Sequence, residues 1–280
     1  MTLREALTEA STRIARRDAE ILLAHLLSRD RVWIFANRDI DLLPADLKAF
    51  QILAARRAAH EPLQYLTGTQ DFYGLTLNVT PDTLIPRPET ELLVQAILDW
   101  VTAHPRISKP RIIDIGTGTG AIALALAAQL PNASLTATDI SPRTLAVAQE
   151  NAAKLNLSHR IAFIVSDLLA ELEPVLRQGL PYNIIVSNPP YVPSTDAETL
   201  QPEVVQHEPH TALFAGPTGL DIYQRLIPQA RNALVPAGLL ALEFGYAQRD
   251  PLAELLKGWR NVRFLDDYAG IPRIALATRP

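Results

Sequence analysis

Apolar positions recur along this chain with two different periods, and the change of period divides it. Over the first sixty residues the spacing is helical. Leu3, Leu7 and Ala10 mark one helix, and Ile21, Leu22, Ala24, His25 and Leu26 a second. A third runs from Pro44, a proline suited to the first helical turn, through Leu47, Phe50, Leu53 and Ala54 to His60. Between Thr69 and Thr80 the period drops to two: Phe72, Leu75, Leu77 and Val79 around Gly74 predict a β-hairpin. From Arg111 onward, short apolar runs alternate with helical segments, and strands are expected to end near Ile115, Asp139, Asp167, Ser187 and Phe244. Two last runs, Val262 to Leu265 and Arg273 to Ala277, are separated by too little chain for a crossover helix and must pair antiparallel. The pattern predicts an α/β fold with a mostly parallel, doubly wound sheet and one reversed terminal strand, preceded by a small all-helical domain. No internal repeat or low-complexity tract interrupts it.

Charge and composition narrow the partners. With 280 residues, 48% apolar and 20% charged, the chain has ample core for one large or two moderate domains. No apolar run approaches a bilayer span, and the acids Glu5, Glu9, Asp18 and Glu20 among the first arginines are foreign to a targeting segment. Zero cysteines exclude disulfides, thiolate metal sites and cysteine catalysis, and suit a reducing compartment, so a cytoplasmic location is expected. A net charge of −4 is not the footprint of electrostatic nucleic-acid binding. Residues 1–75 carry ten Lys/Arg against ten Asp/Glu, so there is no basic arm. From Ser194 to Pro217 there is no Lys or Arg, but Asp196, Glu198, Glu203 and Glu208 are present. Such a stretch would attract a basic protein and repel a phosphate backbone, unless the acids are merely a solvated face. Lone His25 is expected to be a packed or half-exposed residue, not a ligand.

Candidate chemistry sits at two strand ends. The run Tyr182 to Ser187 is apolar enough for a strand buried on both faces, and Asn188-Pro189-Pro190-Tyr191 follows it. Each proline fixes its own φ and pushes the residue before it out of the helical region. Asn188 and Pro189 are therefore held extended, and the Pro189 carbonyl has no helix or ladder to consume it. The result is a rigid lip with two acceptors, the Asn188 side-chain oxygen and the Pro189 carbonyl, beside an aromatic ring. That suits a planar NH₂ group with two protons to place, although the four residues alone would equally serve as a tight turn. Upstream, the strand Arg111 to Ile115 leads into Gly116-Thr117-Gly118-Thr119-Gly120 and then a strong helix former, Ala121 to Ala128. After the next strand, Ser134 to Thr138, comes Asp139, placed to take a ribose diol. Strand, glycine loop, helix, strand and acid make a nucleotide-cradling βαβ unit.

Gly116, Gly118 and Ala121 also satisfy a dinucleotide fingerprint, so the loop alone allows NAD. Asp114 argues for S-adenosylmethionine, since a carboxylate two residues before the glycines can meet an ammonium but is a poor neighbour for a pyrophosphate. The lip argues the same way, having no role in hydride transfer. Arg87, in the proline-flanked loop Ile85 to Thr90, could touch a ligand or cap a turn.

Taken together, Ile85-Pro86-Arg87-Pro88-Glu89-Thr90, Asp114 to Gly120, Ser187 to Tyr191 and Glu208 to Gly216 closely resemble the release-factor glutamine methyltransferases, the PrmC/HemK family. The similarity extends to Gln64 to Gly68 and to Gly219-Leu220-Asp221, and so covers most of the chain. Each motif is shared widely, the Asn-Pro-Pro-Tyr lip also with adenine-N6 methyltransferases, but the set in this order is specific.

The resemblance implies a Rossmann-like class I S-adenosylmethionine-dependent methyltransferase domain with a mostly parallel seven-stranded sheet. It implies residues 1–66 as a release-factor-docking domain, 67–84 as a β-hairpin linker and 85–280 as the catalytic domain. The implied reaction is methylation of the side-chain nitrogen, N5, of the glutamine in the Gly-Gly-Gln motif of class I peptide chain release factors. Carried over, Gly116, Thr117, Gly118, Thr119 and Gly120 would cradle the methionine part of the donor beside Asp114, and Asp139 would bind the ribose. Asp167 and Leu168 would border the adenine, with Leu168 standing where relatives often carry an aromatic. Asn188, Pro189, Pro190 and Tyr191 would hold the acceptor glutamine, with Asn188 also near the donor. Asn188, Pro189 and Tyr191 would carry the chemistry. No metal, membrane or nucleic acid is expected, and a monomer is. The alternative is an adenine-N6 nucleic-acid methyltransferase, which would require a basic groove and stacking aromatics.

Overall fold

Thr2 caps the first helix, Leu3–Ala10, with a reciprocal capping box to Glu5, and Leu3, Ala6, Leu7 and Ala10 turn inward from it. They meet Leu22 and Leu23 of Arg16–Leu26, and Phe50 and Ala54 of Pro44–Ala58, in a core of their own. Two short helices, Arg31–Ala36 and Leu63–Thr67, complete this bundle and have no counterpart in the periodicity. Six and five residues are too few to display a helical repeat. His25 is exposed.

The computed structural model describes residues 1–172, 179 and 181–280, and packing divides them into two units. The helical unit comprises Met1–Thr69 and, unexpectedly, Leu200–His207; the second comprises Gln70–Thr199 and Glu208–Pro280. The borrowed segment contains the helix Pro202–His207. Arg57 holds it: Nε donates to Asp18 Oδ2 at 2.8 Å, and Nη1 to Glu203 Oε2 at 2.7 Å.

The second unit begins within a hairpin, whose strands β1 (Thr69–Phe72) and β2 (Leu75–Asn78) turn through Tyr73 and Gly74, with φ of 49° and 76°. Two consecutive left-handed residues make the turn whose twist matches paired strands. Phe72 and Leu77 bury in the core of this unit. The main sheet contains β3 (Arg111–Ile115), β4 (Ser134–Asp139), β5 (Ile161–Val165), β6 (Tyr182–Ser187), β7 (Leu234–Glu243), β8 (Arg260–Asp266) and β9 (Pro272–Thr278). Their spatial order is β5-β4-β3-β6-β7-β9-β8. All pairings are parallel except those of β9, which runs antiparallel to both β7 and β8. The reversed strand is thus the last in sequence but lies inside the sheet, with β8 at the edge.

Alternation explains how both faces are covered. Ile112, Ile184 and Val186 pack under the helices Thr90–Ala103 and Ala121–Gln129. Ile113, Ile115 and Ile185 point the other way, toward Tyr223, Leu226 and Ile227 of the helix Asp221–Ala233. From β3 the chain steps outward to β4 and β5, then returns to the other side of β3 as β6. The strand order reverses between β3 and β6, and such a switch point opens a crevice at the carboxyl ends of the strands.

Candidate active site

The glycine loop and the proline lip flank that crevice, one leaving β3 and the other β6. Between them lies a cavity of 390 Å³, within the ordinary range for a small-molecule site. Gly116, Thr117, Gly118, Thr119, Asp139, Asp167, Leu168, Asn188, Pro189 and Pro190 all line it. Ten of the thirteen residues singled out in the sequence are therefore brought together.

The loop is shaped for a ligand to come close. Gly116 and Gly118 adopt φ of 69° and 58°, and a Cβ on either would meet nothing within 4 Å and project into open space. Thr117 N donates to Thr138 O at 2.8 Å, fixing the loop against β4. Asp139 stands at the end of β4 with both oxygens in use: Gly118 N donates to Oδ2 at 3.1 Å and Ser141 N to Oδ1 at 3.0 Å. Ile140 N is a third backbone donor to it, and a carboxylate has about four lone-pair sites, so one remains for a ribose hydroxyl. Burial raises its pKa, while those backbone donors oppose the rise.

Three expected residues stay off the cavity wall. Gly120 turns away, its missing Cβ directed at Leu124 and Ala148, so it serves helix–helix packing. Asp114 is fully buried beneath the loop. Register explains why: Ile115 pairs with Thr138, so Asp139 stands one residue beyond that pair while Asp114 lies one short of it. Its Oδ2 accepts from Thr117 Oγ1 at 2.6 Å and from Ala123 N at 3.2 Å, whereas Oδ1 is buried without a partner. Burial pushes its pKa up to about 7. Tyr191 packs behind the lip. Its ring lies where a Cβ on Gly245 would approach to 2.9 Å, and burial raises its phenol well above the ordinary range.

Long-range braces hold the lip. Ser187 Oγ donates to Ile115 O at 2.7 Å, tying β6 to β3. Val192 N donates to Leu213 O at 2.9 Å and Ala215 N to Val192 O at 3.0 Å, stitching the lip to the Glu208 to Gly216 motif. Gly219 passes under the Tyr191 carbonyl where any Cβ would lie 2.2 Å from it, and Gln248 Nε2 donates to that carbonyl at 2.8 Å. Among the described residues the Pro189 carbonyl accepts no backbone hydrogen bond. Asn188 Nδ2 donates to Thr90 Oγ1 at 3.2 Å, which commits its NH₂ and leaves Oδ1 as the free end.

Several contributors were left open by the sequence reading or escaped it. Arg87 lines the cavity and pairs with Glu208, whose other oxygen accepts from Ile85 N at 3.2 Å. Glu208 is buried and Glu203 is held by Arg57, so only Asp196 and Glu198 of that acidic stretch face solvent. Arg225 lines the wall and donates to Asp167 Oδ2 at 2.6 Å. Glu243 lies buried at the end of β7, and neither it nor Thr90 carries a local signal of its role.

Comparison with known proteins identifies the family. Residues 2–68 match the PrmC N-terminal domain and residues 89–216 the methyltransferase small domain. The release factor glutamine methyltransferase of Moorella thermoacetica is 45% identical over 289 residues, spanning 100% of this chain and 99% of its own. That of Koribacter versatilis is 41% identical over 287 residues, again spanning 100% and 99%. Among solved structures, the hMettl16 catalytic domain in complex with MAT2A 3'UTR hairpin 1 superposes with a TM-score of 0.56 at 21% identity, covering 92% of this chain and 90% of that one. That likeness shows the shared fold. On identity over its full length, the chain belongs to the release factor glutamine methyltransferase family.

Proposed function

We propose that this protein transfers a methyl group from S-adenosylmethionine to the side-chain amide nitrogen, N5, of the glutamine in the Gly-Gly-Gln motif of class I peptide chain release factors. The observation that carries the reading is the lip, where the Asn188 oxygen and the Pro189 carbonyl stand as two fixed acceptors beside the cavity. The residues present fit the donor. Gly116 and Gly118 leave room for a close approach, Asp139 keeps a lone-pair site for the ribose, and Leu168 offers an apolar edge to the adenine. Asp114, buried beneath the loop, is not presented to the cavity and supports the loop through Thr117 and Ala123 instead. When bound, the donor supplies an electrophilic methyl group on a sulfonium.

The remaining work falls to the chain. An amide nitrogen is a poor nucleophile because its lone pair is delocalised into the carbonyl. As it accepts the methyl group, positive charge builds on it. Asn188 Oδ1 and the Pro189 carbonyl then bind the two N–H groups more strongly than in the ground state, and that difference lowers the barrier. Holding the amide in line supplies much of the remainder. Proton loss follows methyl transfer, so no general base is assigned. Tyr191 supports the lip from behind.

The helical unit, with balanced charge and no catalytic constellation, docks the folded release factor in this reading. The protein acts in the cytoplasm as a monomer and needs no metal. No helix among the described residues is long and apolar enough to cross a membrane. The test is incubation with labelled S-adenosylmethionine and, separately, intact release factor, release factor with that glutamine replaced, and nucleic acid. Label is expected on the intact factor alone. Label on adenine with none on glutamine overturns the function in favour of a nucleic-acid methyltransferase.

A further inference from the structure

Behind the lip runs a hydrogen-bond chain that ends in a buried acid. Glu243, the last residue of β7, is 2% exposed, and its Oε2 has no partner. Thr90, 4% exposed, opens the helix Thr90–Ala103. Asn188 Nδ2 donates to Thr90 Oγ1, and the side chains of Thr90 and Asn188 both hydrogen-bond to the Glu243 carboxylate. Nothing in the reaction as derived above uses this acid.

Its effect follows from counting protons. An ionised carboxylate only accepts, and a threonine hydroxyl has a single proton to give. With Glu243 taking that proton, Thr90 Oγ1 is left with lone pairs only, and the sole group of Asn188 that can meet them is its NH₂. The amide oxygen must then point the other way. This matters because the two ends of an asparagine amide are nearly the same size. Packing around Asn188 therefore cannot choose between them, whereas a fixed acceptor behind it can. Resting on the methyl-transfer reading, we propose that Glu243 is a positioning residue that, directly and through Thr90, sets the direction of the Asn188 amide, so that the lip presents an acceptor and not a donor to the substrate's NH₂. With the opposite direction, the NH₂ of Asn188 would face the NH₂ of the glutamine, and one of the two acceptors would be replaced by a repelling donor.

The surroundings decide when the acid is ionised. Burial pushes its pKa up to about 7; Thr90, Asn188 and Arg273 on β9 pull it back, and Glu89 pushes it further. Tyr191 and Tyr223 face it as neutral phenols, and the Tyr223 hydroxyl donates to the Glu243 backbone carbonyl at 2.7 Å. Arg273 is itself shared with Asp267 at 3.3 Å. The relay therefore works at neutral and higher pH and fails below it.

The experiment compares E243Q, T90V, T90S and the double variant E243Q/T90V with the wild type. Each is assayed with labelled S-adenosylmethionine and intact release factor, with donor titration and thermal unfolding in parallel. E243Q and T90V should each lower kcat by about 10- to 100-fold, the scale of one misdirected transition-state hydrogen bond. KM for release factor and donor affinity should hold within about threefold. Residues acting in one chain are non-additive, so the double variant should be no slower than the slower single one. T90S, which keeps the hydroxyl, should recover turnover relative to T90V. Wild-type kcat should climb with pH through about 7, and that step should vanish in E243Q. Wild-type turnover in E243Q, independent losses in the double variant, or losses that follow donor affinity and melting temperature would each overturn the assignment while leaving the methyl-transfer reading intact. A wild-type protein that labels no release factor would overturn both.

Discussion

Two glycines of one loop should fail in different ways when given a methyl group. Gly118 and Gly120 both have positive φ, 58° and 83°. Alanine at either position pays roughly 1–2 kcal/mol for a left-handed backbone, and recovers about 0.4–1 kcal/mol because the unfolded chain is stiffer. At Gly118 the sum ends there, since nothing lies within 4 Å of the new Cβ. At Gly120 the Cβ would lie 3.0 Å from Leu124 Cδ1 and 3.2 Å from Ala148 Cβ. The leucine tip can swing, but the alanine sits on a packed helix, and overpacking of this kind adds about 1–3 kcal/mol. G118A should therefore lose about 1 kcal/mol of stability and G120A about 2–4 kcal/mol, read by denaturant or thermal unfolding. Donor affinity should rank the other way. The G118A methyl projects into the cavity where the donor's backbone contact is expected, so calorimetric titration should show S-adenosylmethionine binding weakened at least about tenfold, or some 1.4 kcal/mol. The folded fraction of G120A should bind nearly as the wild type does. If G118A bound the donor like wild type, or destabilised the fold as much as G120A, the assignment of the loop would be wrong.

Other outcomes follow from the same geometry. Asn188→Ala should lower the single-turnover rate by about two orders of magnitude with donor affinity little changed; a near-wild-type rate removes Asn188 from the chemistry. Asp139→Ala should weaken S-adenosylmethionine binding by roughly 1–3 kcal/mol, and tight NAD binding with no response to the methyl donor would reassign the loop. For Asp114, burial raises the folded pKa from 3.8 to about 7. An acid so raised holds its proton more tightly when folded, so its contribution to ligand-free stability is fullest below the unfolded value and is lost as pH rises toward about 7. The gap between D114N and wild type should accordingly move in the variant's favour by about 1.4 kcal/mol per pH unit across that window; a gap that stays flat from pH 5 to 7 in denaturant titrations would show the acid is not held neutral.

What could be read from the sequence was whatever a local pattern encodes. Alternating burial along Ile112, Ile113 and Ile115 requires cover on both faces, and Gly74 after an apolar run requires a reversal, so strands and hairpin were legible. The helix Arg31–Ala36 was not, although Asp30 caps it by accepting from Trp33 N at 2.6 Å. A cap without a repeat behind it is a weak signal. Asp139 and Asp114 were both expected to meet the donor, one at its ribose and one at its ammonium, and only the register of β3 on β4 puts one at the crevice and the other beneath it. Arg87 and Glu208 lie 121 positions apart, and no spacing rule connects them. The acids after the lip read as one charged stretch because sequence shows the charges and not the arginines that meet them. Glu243 was invisible for a related reason, since its meaning depends on Thr90 and Asn188 arriving from two other segments.

The excursion of Leu200–His207 into the helical unit sets an order of events during synthesis. The first sixty-nine residues emerge early and can form their helices, but Arg57 must wait for Glu203, 146 positions later. At translation rates of about 5–20 residues per second that delay is on the order of ten seconds. During it, the guanidinium that later binds two carboxylates has only Asp18 and the Glu61 carbonyl. The helical unit is therefore first to appear and among the last to be finished, and its completion depends on a segment that leaves the ribosome just after the lip. A nascent chain halted before residue 200 would carry the bundle core, residues 3 to 66, without the Arg57–Glu203 pair. One extended past residue 207 would add that pair with the glycine loop and the lip already made.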